Sequence, residues 1–348
     1  MRMLLVSVGF LVLSSGVMLV SISRELFYLQ LVWIVVGAGM VVFFSFFDWR
    51  AALNHHWVVW GLYGLALLLL LATLVFSPVI RGTRGWLLAG PLRFQPVELA
   101  KVALIFLYAL YFSKRHLGIA RWRYIFTSCV YFAIPAFLVA LQPDLGSVLV
   151  LFGIWFGFLL VSGLPRRRLF FMLLFFAAAG FLLWQYGLAD YQKERITGVF
   201  FPERDLLGIN YSTRQSLIAV GSAGFFGKGF GQGTQTQLGF LTEPATDFIF
   251  AALIEEWGWL GGLLVLAAFL ALIGAILKVG MLADRNYEKF ICLGSATVMS
   301  WQFFLNAGSA LGLVPVVGVT FPFLSYGGSS LLTNFFLLAI IHAIARRS

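Results

Sequence analysis

The sequence predicts an all-α polytopic membrane protein of about ten transmembrane helices, with a long structured outer loop between spans 7 and 8. Three observations predict it. Hydrophobic residues make up 61% of the 348 and charged residues only 11%, where a soluble domain carries about 25% charged residues. Mean hydropathy is +0.95. Polar interruptions divide the chain into apolar runs close to the ~20 residues that cross a bilayer.

Those runs fall at roughly 3–20, 27–47, 57–77, 96–112, 125–141, 146–162, 169–188, 258–278, 290–311 and 329–345. The first opens like a secretory signal, with Arg2 ahead of apolar residues. SSGVMLVSISRE has no small-x-small cleavage pattern, however, and the run reads as a retained first span. Basic residues set the orientation. With the N-terminus inside, the inner segments hold fourteen lysines and arginines, and the short outer loops hold four: Arg24, Arg81, Arg84 and Arg93. Both termini are therefore expected in the cytoplasm. Residues 1–348 read as a single transmembrane domain, with 189–246 as its large extracytoplasmic loop. That loop contains a predicted helix around Tyr211–Ala223 and the tract GSAGFFGKGFGQGTQTQLG. The tract reads either as a flexible connector or as a functional loop. It is no dinucleotide fingerprint, because no strand precedes it.

Cys129 and Cys292 lie inside apolar runs, which excludes a disulfide framework. The four histidines lack ligand-like spacing, so no metal site is legible. The net charge of +10 suits anionic membrane lipids. Nucleic acid is excluded as a partner because the basic residues are dispersed among spans rather than gathered on one face.

Ionisable side chains at membrane depth are costly, about 2.5–3.5 kcal/mol each, and so are site candidates. TEPATDFIFAALIEEWGWLGG places Asp247 at the head of an apolar run. From Asp247 to Lys278 is 32 residues, about 48 Å of helix, which overshoots a hydrocarbon core of about 30 Å. The span proper is expected to start near Trp257, with Trp257 and Trp259 as an interfacial belt. Asp247–Ile254 is then a short helix against the outer rim. Two readings of Asp247 stand: a general base, or helix-start chemistry with Thr246 as N-cap and Asp247 in the first turn. In FQPVELAK, Glu98 and Lys101 share a helix face, either as a self-neutralising pair or lining a cavity. In LQPDLGS, Asp144 is an N-cap or a site acid. In FPFLSYGGSS, Gly327 and Gly328 could form an anion-binding nest or a bend before the last helix. Together these suggest a polar, outward-open cavity with Arg81, Arg84, Arg93, Arg195 and Arg214 nearby, suited to a lipid-linked anion.

Five ordered blocks then carry a resemblance: GPLRFQPVELAK (90–101), QPDLGS (142–147), the run FFPERDLLGINYSTRQSLIAVGSAGFFGKGFGQGTQTQLGFL (200–241), TDFIFAALIEEWGWLGG (246–262) and LVPVVGVTFPFLSYGGSS (313–330). The chain resembles, over nearly its whole length, the SEDS family (shape, elongation, division and sporulation), and its GTQTQLGFL is similar to the RodA type. The resemblance implies a peptidoglycan glycosyltransferase of the bacterial plasma membrane that polymerises lipid II on the outer face during cell elongation and shape maintenance. It implies a class B penicillin-binding protein as partner, and Asp247 as the catalytic residue. It places the family's acidic–basic pair on Glu98 and Lys101 and its SYGGS block on Ser325, Tyr326, Gly327, Gly328 and Ser329; with these, Asp144, Arg195, Arg214, Lys228, Gln235 and Thr246 are the candidate substrate-binding residues. No cofactor is certain; a divalent cation, Mg²⁺ or Mn²⁺, is left open. Two departures stand out. Val97 replaces the family's usual serine, and Ala245 stands where histidine is frequent, which removes a proton partner for Asp247. The rival classes are a lipid II flippase and a non-catalytic scaffold for a penicillin-binding protein.

Overall fold

A computed structural model describes residues 2–46, 55–80, 82–89, 92–114, 121–201, 208 and 210–347. Arg81 lies outside the described residues.

The elements, in order, are α1 (Arg2–Ile22), α2 (Arg24–Phe46), α3 (His56–Phe76), β1 (Leu87–Ala89), β2 (Leu92–Phe94), α4 (Pro96–Ser113), α5 (Trp122–Ala140), α6 (Leu145–Val161) and α7 (Arg166–Leu182). A π-helical turn (Leu183–Gly187) follows α7. Then come α8 (Asp190–Phe200), α9 (Tyr211–Ser222), α10 (Thr234–Gln237), α11 (Ile249–Leu282), α12 (Asn286–Ala310) and α13 (Gly328–Arg347). Among the described residues nine helices are long and apolar enough to cross a membrane, and the apolar α6 is shorter. These account for the ten predicted runs.

Helix α4 is the axis of the bundle and packs against α3, α5, α6, α12 and α13. Fifteen of its eighteen residues are buried. It starts cleanly because Pro96 occupies the first turn, where no backbone N–H is needed. Helix α1 packs along α2 and α11, burying Leu4, Leu11 and Met18. Helix α2 lies along α13, where Gly37 leaves room for the Phe335 ring. Helix α5 carries Pro135 in its interior, which removes the hydrogen bond to the Tyr131 carbonyl. The Tyr63 hydroxyl of α3 donates to that carbonyl at 2.9 Å. In hydrocarbon a freed carbonyl must find such a partner.

A short hairpin precedes α4. β1 and β2 pair antiparallel, with Leu87 opposite Phe94. The sequence reading had only a loop there. At three residues each, these strands are too short for alternation to be recognised.

The opening of α11 departs from expectation. Helical dihedrals fail at Gly258 (φ 72°, ψ −176°), which separates Ile249–Trp257 from Trp259–Leu282. Trp257 and Trp259 are exposed on either side of the break. The upper segment does not lie on an outer rim, however. Every residue from Ile249 to Glu256 is buried, because α9, α10 and α1 pack against α11.

Candidate functional site

Four of the sequence blocks meet at one end of the bundle. Asp247 stands partly exposed in a turn. Helix α11 begins only at Ile249, with Phe248 as its N-cap residue and no side-chain cap. The helix-start reading of Thr246 and Asp247 is thereby corrected. The Thr246 hydroxyl reaches the Glu243 carboxylate at 3.4 Å instead of capping.

The main chain around Asp247 is held from two directions. From the segment before α13, the Tyr326 N–H donates to the Ala245 carbonyl at 2.8 Å, and Ser325 Oγ donates to the Thr246 carbonyl at 2.6 Å. Ser325 Oγ also accepts from the Phe321 N–H at 2.9 Å. From α12, Asn306 Nδ2 donates to the carbonyls of Thr246 (3.3 Å), Asp247 (3.1 Å) and Val319 (2.8 Å). Sequence reasoning passed over Asn306. Its signal was a carboxamide inside an apolar span, which the search for charged groups alone discarded. Gln30 of α2 was missed for the same reason. Buried, it donates to the Ser325 carbonyl at 3.3 Å and to Ser15 Oγ at 3.4 Å.

The same segment reaches the FQPVELAK block. Ser329 Oγ donates to the Arg93 carbonyl at 3.1 Å and accepts from the Gln95 N–H at 3.2 Å. Gln95 Nε2 in turn donates to Asp144 Oδ2 at 3.5 Å. Asp144 is the N-cap of α6: its Oδ1 accepts from the Ser147 N–H at 3.0 Å and its Oδ2 from Ser147 Oγ at 2.7 Å. Burial pushes the Tyr326 phenol up, Arg93 pulls it down and Glu25 adds to the rise. Tyr326 therefore presents a neutral hydroxyl. One turn into α4, Lys101 Nζ meets Glu98 Oε1 at 2.8 Å, with both side chains almost fully buried. Glu98 Oε2 is buried with no hydrogen-bond partner among the described residues.

The glycine nest is not formed. Neither Gly327 nor Gly328 has a positive φ, which a nest's alternating left-handed residue requires. Gly328 is needed for another reason, since a Cβ there would run into the Trp33 ring of α2.

A second cluster gathers the Gly-rich tract. At the Gly258 break the carbonyls of Glu255 and Glu256 accept from the N–H groups of Lys228 and Gly229. The N–H groups of Trp259 and Leu260 donate to the carbonyls of Gly224 and Phe225. The loop thus supplies the backbone partners that an interrupted helix lacks. The Glu255 carboxylate, fully buried, accepts from Lys228 Nζ (2.8 Å), Thr234 Oγ1 (3.3 Å), the N–H groups of Gln235 (2.8 Å) and Thr236 (3.0 Å), and Thr236 Oγ1 (2.8 Å). Lys228 therefore has internal partners for its ammonium, whereas Gln235 is engaged here through its main-chain N–H and its Oε1 is buried with no hydrogen-bond partner among the described residues. Glu256 Oε1 accepts from Ser21 of α1 at 2.6 Å and from Gln237 Nε2 at 3.0 Å. The flexible-connector reading of this tract is corrected as well. Arg195 and Arg214 are exposed, on α8 and α9. Arg195 donates to the Val316 carbonyl at 3.3 Å and, with Asn210, Ser212, Thr213 and Val316, lines a small polar pocket.

Set against known proteins, this arrangement has a clear affiliation. The cell cycle protein family FtsW/RodA/SpoVE matches residues 1–348. The chain belongs to that family. A chain of a peptidoglycan synthase complex, described as coordinating polymerization and crosslinking, superposes with a TM-score of 0.87 at 30% identity, covering 99% of this chain and 97% of the other. The rod shape determining protein RodA of Thermus thermophilus superposes with a TM-score of 0.73 at 30% identity, over 99% of this chain and 95% of its own. The peptidoglycan glycosyltransferase MrdB of Escherichia coli K12 is 39% identical over 280 residues, 78% of this chain and 73% of that protein. Stage V sporulation protein E of Bacillus subtilis is 36% identical over 300 residues, 84% of this chain and 80% of that one. The apolar helical bundle and the cradle around the TDF motif thus occur in an FtsW/RodA/SpoVE chain.

Proposed function

We propose that this protein is a peptidoglycan glycosyltransferase that polymerises lipid II at the outer face of the plasma membrane, with Asp247 as general base. The observation that carries the reading is the convergence, on the main-chain carbonyls of the turn that presents the partly exposed Asp247, of hydrogen bonds from segments far apart in sequence. The names borne by MrdB and the synthase complex support the reaction class. In the orientation set by the basic residues, both termini are cytoplasmic and the Asp247 end faces outward.

The donor carries its glycan on a lipid diphosphate, and the acceptor is a lipid II with a free 4-hydroxyl. Asp247 takes the hydroxyl proton as the oxygen attacks the anomeric carbon, a role worth about 10²–10⁴-fold. The bond from that carbon to the diphosphate breaks, and the diphosphate leaves with its electron pair. It needs no protonation, so one carboxylate suffices where a glycosidase uses two. Lys101, with Arg93 and the exposed Arg195 and Arg214, offsets the growing charge. Tyr326, Ser325 and Ser329 hold the site's wall. Among the described residues no three His, Cys, Asp or Glu side chains stand together as a metal cage. A divalent ion would take ligands from the diphosphate itself, and no step here uses one. A class B penicillin-binding protein is the expected partner, as the crosslinking named for the synthase complex suggests.

The test is polymerisation of purified lipid II by the full chain in detergent, read as glycan length. Wild type is expected to make long glycan, and Asp247→Asn to fold and make none. Polymer from Asp247→Asn would remove Asp247 from the chemistry. Lipid II movement across vesicles without polymer would favour the flippase.

A further inference from the structure

Asn306 has no place in the chemistry proposed above, yet it bonds directly to the main chain of the turn that carries Asp247. It lies near the end of α12 and is 1% exposed. Its single amide nitrogen faces three main-chain carbonyls, those of Thr246, Asp247 and Val319. The orientation is forced. A flipped amide would set its oxygen against three carbonyl oxygens, and only the nitrogen carries hydrogens. Two hydrogens serve three acceptors, so one bond is shared. Its other end, Oδ1, is buried with no partner among the described residues.

We propose that Asn306 is the positioning residue of the Asp247 site: one buried carboxamide ties the turn carrying Asp247 to the strap that leads into α13, and so sets where the carboxylate stands. The inference rests on the assignment of Asp247 as general base. Three features carry it. The turn 245–247 precedes α11 and is not helical; locally its main chain is tied by the Thr246 and Phe248 N–H groups, which share the Glu243 carbonyl at 3.2 and 3.3 Å. Ser325 also bonds a carbonyl of this turn, and Ser325 belongs to the strap that Asn306 grips through Val319. Asn306 itself is fixed from behind, because Ser309 Oγ donates to its main-chain carbonyl at 2.8 Å and α12 packs on both α4 and α11. The carboxamide thus joins a rigid helix to two segments that are otherwise irregular. A displacement of about 1 Å at such a site is enough to cost about 10²-fold in rate.

The experiment uses the full chain in detergent with lipid II, and measures kcat, KM and the pH profile. Asn306→Ala is expected to lower kcat about 10²-fold with KM within about threefold of wild type. Asn306→Asp keeps the shape and loses the amide hydrogens. Protonated, it still offers one donor; ionised, it offers none and repels three carbonyls. Its kcat should therefore fall as pH rises, on a limb that wild type lacks. Gln302→Leu, one turn earlier and equally buried, serves as control and should leave kcat within about twofold. Should Asn306→Ala fail to fold, Asn306→Gln keeps the donor but moves it by one methylene, and the same fall in kcat is expected. Wild-type kcat in Asn306→Ala or Asn306→Gln, or a pH profile of Asn306→Asp that overlays wild type, overturns the proposal. Activity surviving in Asp247→Asn would instead overturn the general-base reading, so the two failures are distinguishable.

Discussion

Two lysine–glutamate pairs, each with a buried carboxylate, share a length and differ in everything around it. Lys101–Glu98 and Lys228–Glu255 are each 2.8 Å from Nζ to Oε1. Glu255 has both oxygens filled by five donors from the Gly-rich tract. Glu98 has one oxygen filled, and the other is buried and empty. A saturated carboxylate can only hold what it already holds. A half-satisfied one pays desolvation for nothing in the resting fold, which is the condition of a group kept for a transient partner. The contrast fits Lys228–Glu255 as architecture and Lys101–Glu98 as part of the proposed site, although the sequence presents both as Glu and Lys in an apolar chain.

The comparison breaks most sharply at Glu255. Glu255→Ala leaves Lys228 with Thr234 Oγ1 at 2.8 Å but takes the acceptor from the Gln235 and Thr236 N–H groups and the Thr236 hydroxyl, and each buried donor left unpaired costs about 1–3 kcal/mol. Thermal unfolding in detergent should show the largest drop of any variant here; an unchanged melting temperature would end the architectural reading. Next is Lys101→Ala, expected to cut polymerisation by about 10², whereas Arg24→Ala, outside the cluster, leaves it near wild type. Equal rates for the two would place Lys101 outside the cavity. Gly258→Ala follows. Its φ and ψ lie in a region essentially reserved for glycine, worth about 1–3 kcal/mol, and a Cβ would run into the Phe225 carbonyl and the Gly227 amide. Limited proteolysis should find the 224–237 tract newly cleavable. The smallest effect is Lys228→Met. With 23% of its side chain exposed, the pair is partly screened, and about 1 kcal/mol is expected. That would sharpen the contrast: Glu255 would matter chiefly through its backbone and hydroxyl donors.

The sequence made legible what depends on composition and on single positions. The apolar runs became helices, Asp144 became an N-cap, and Glu98 and Lys101 turned inward on one face. Asn306 and Gln30 escaped because a neutral amide barely interrupts hydropathy, and its worth lies in which carbonyls it meets. Asp247 was singled out, but its helix was started two residues early, since a Thr-Asp pair before an apolar run imitates a cap that here bonds elsewhere. The Gly-rich tract read as a tether because glycine reports freedom of the chain and says nothing about a glutamate 20 residues on that will fix it.

By itself, then, the sequence determined that this chain lives in a bilayer and where its apolar helices fall. Those properties follow from apolar length alone, and no contact can reverse them. Only the tertiary structure decided which buried carboxylate is saturated and which keeps an empty oxygen, and which amide grips the turn of Asp247. Hydrogen bonds are directional and short, and their partners here lie tens to hundreds of residues apart along the chain.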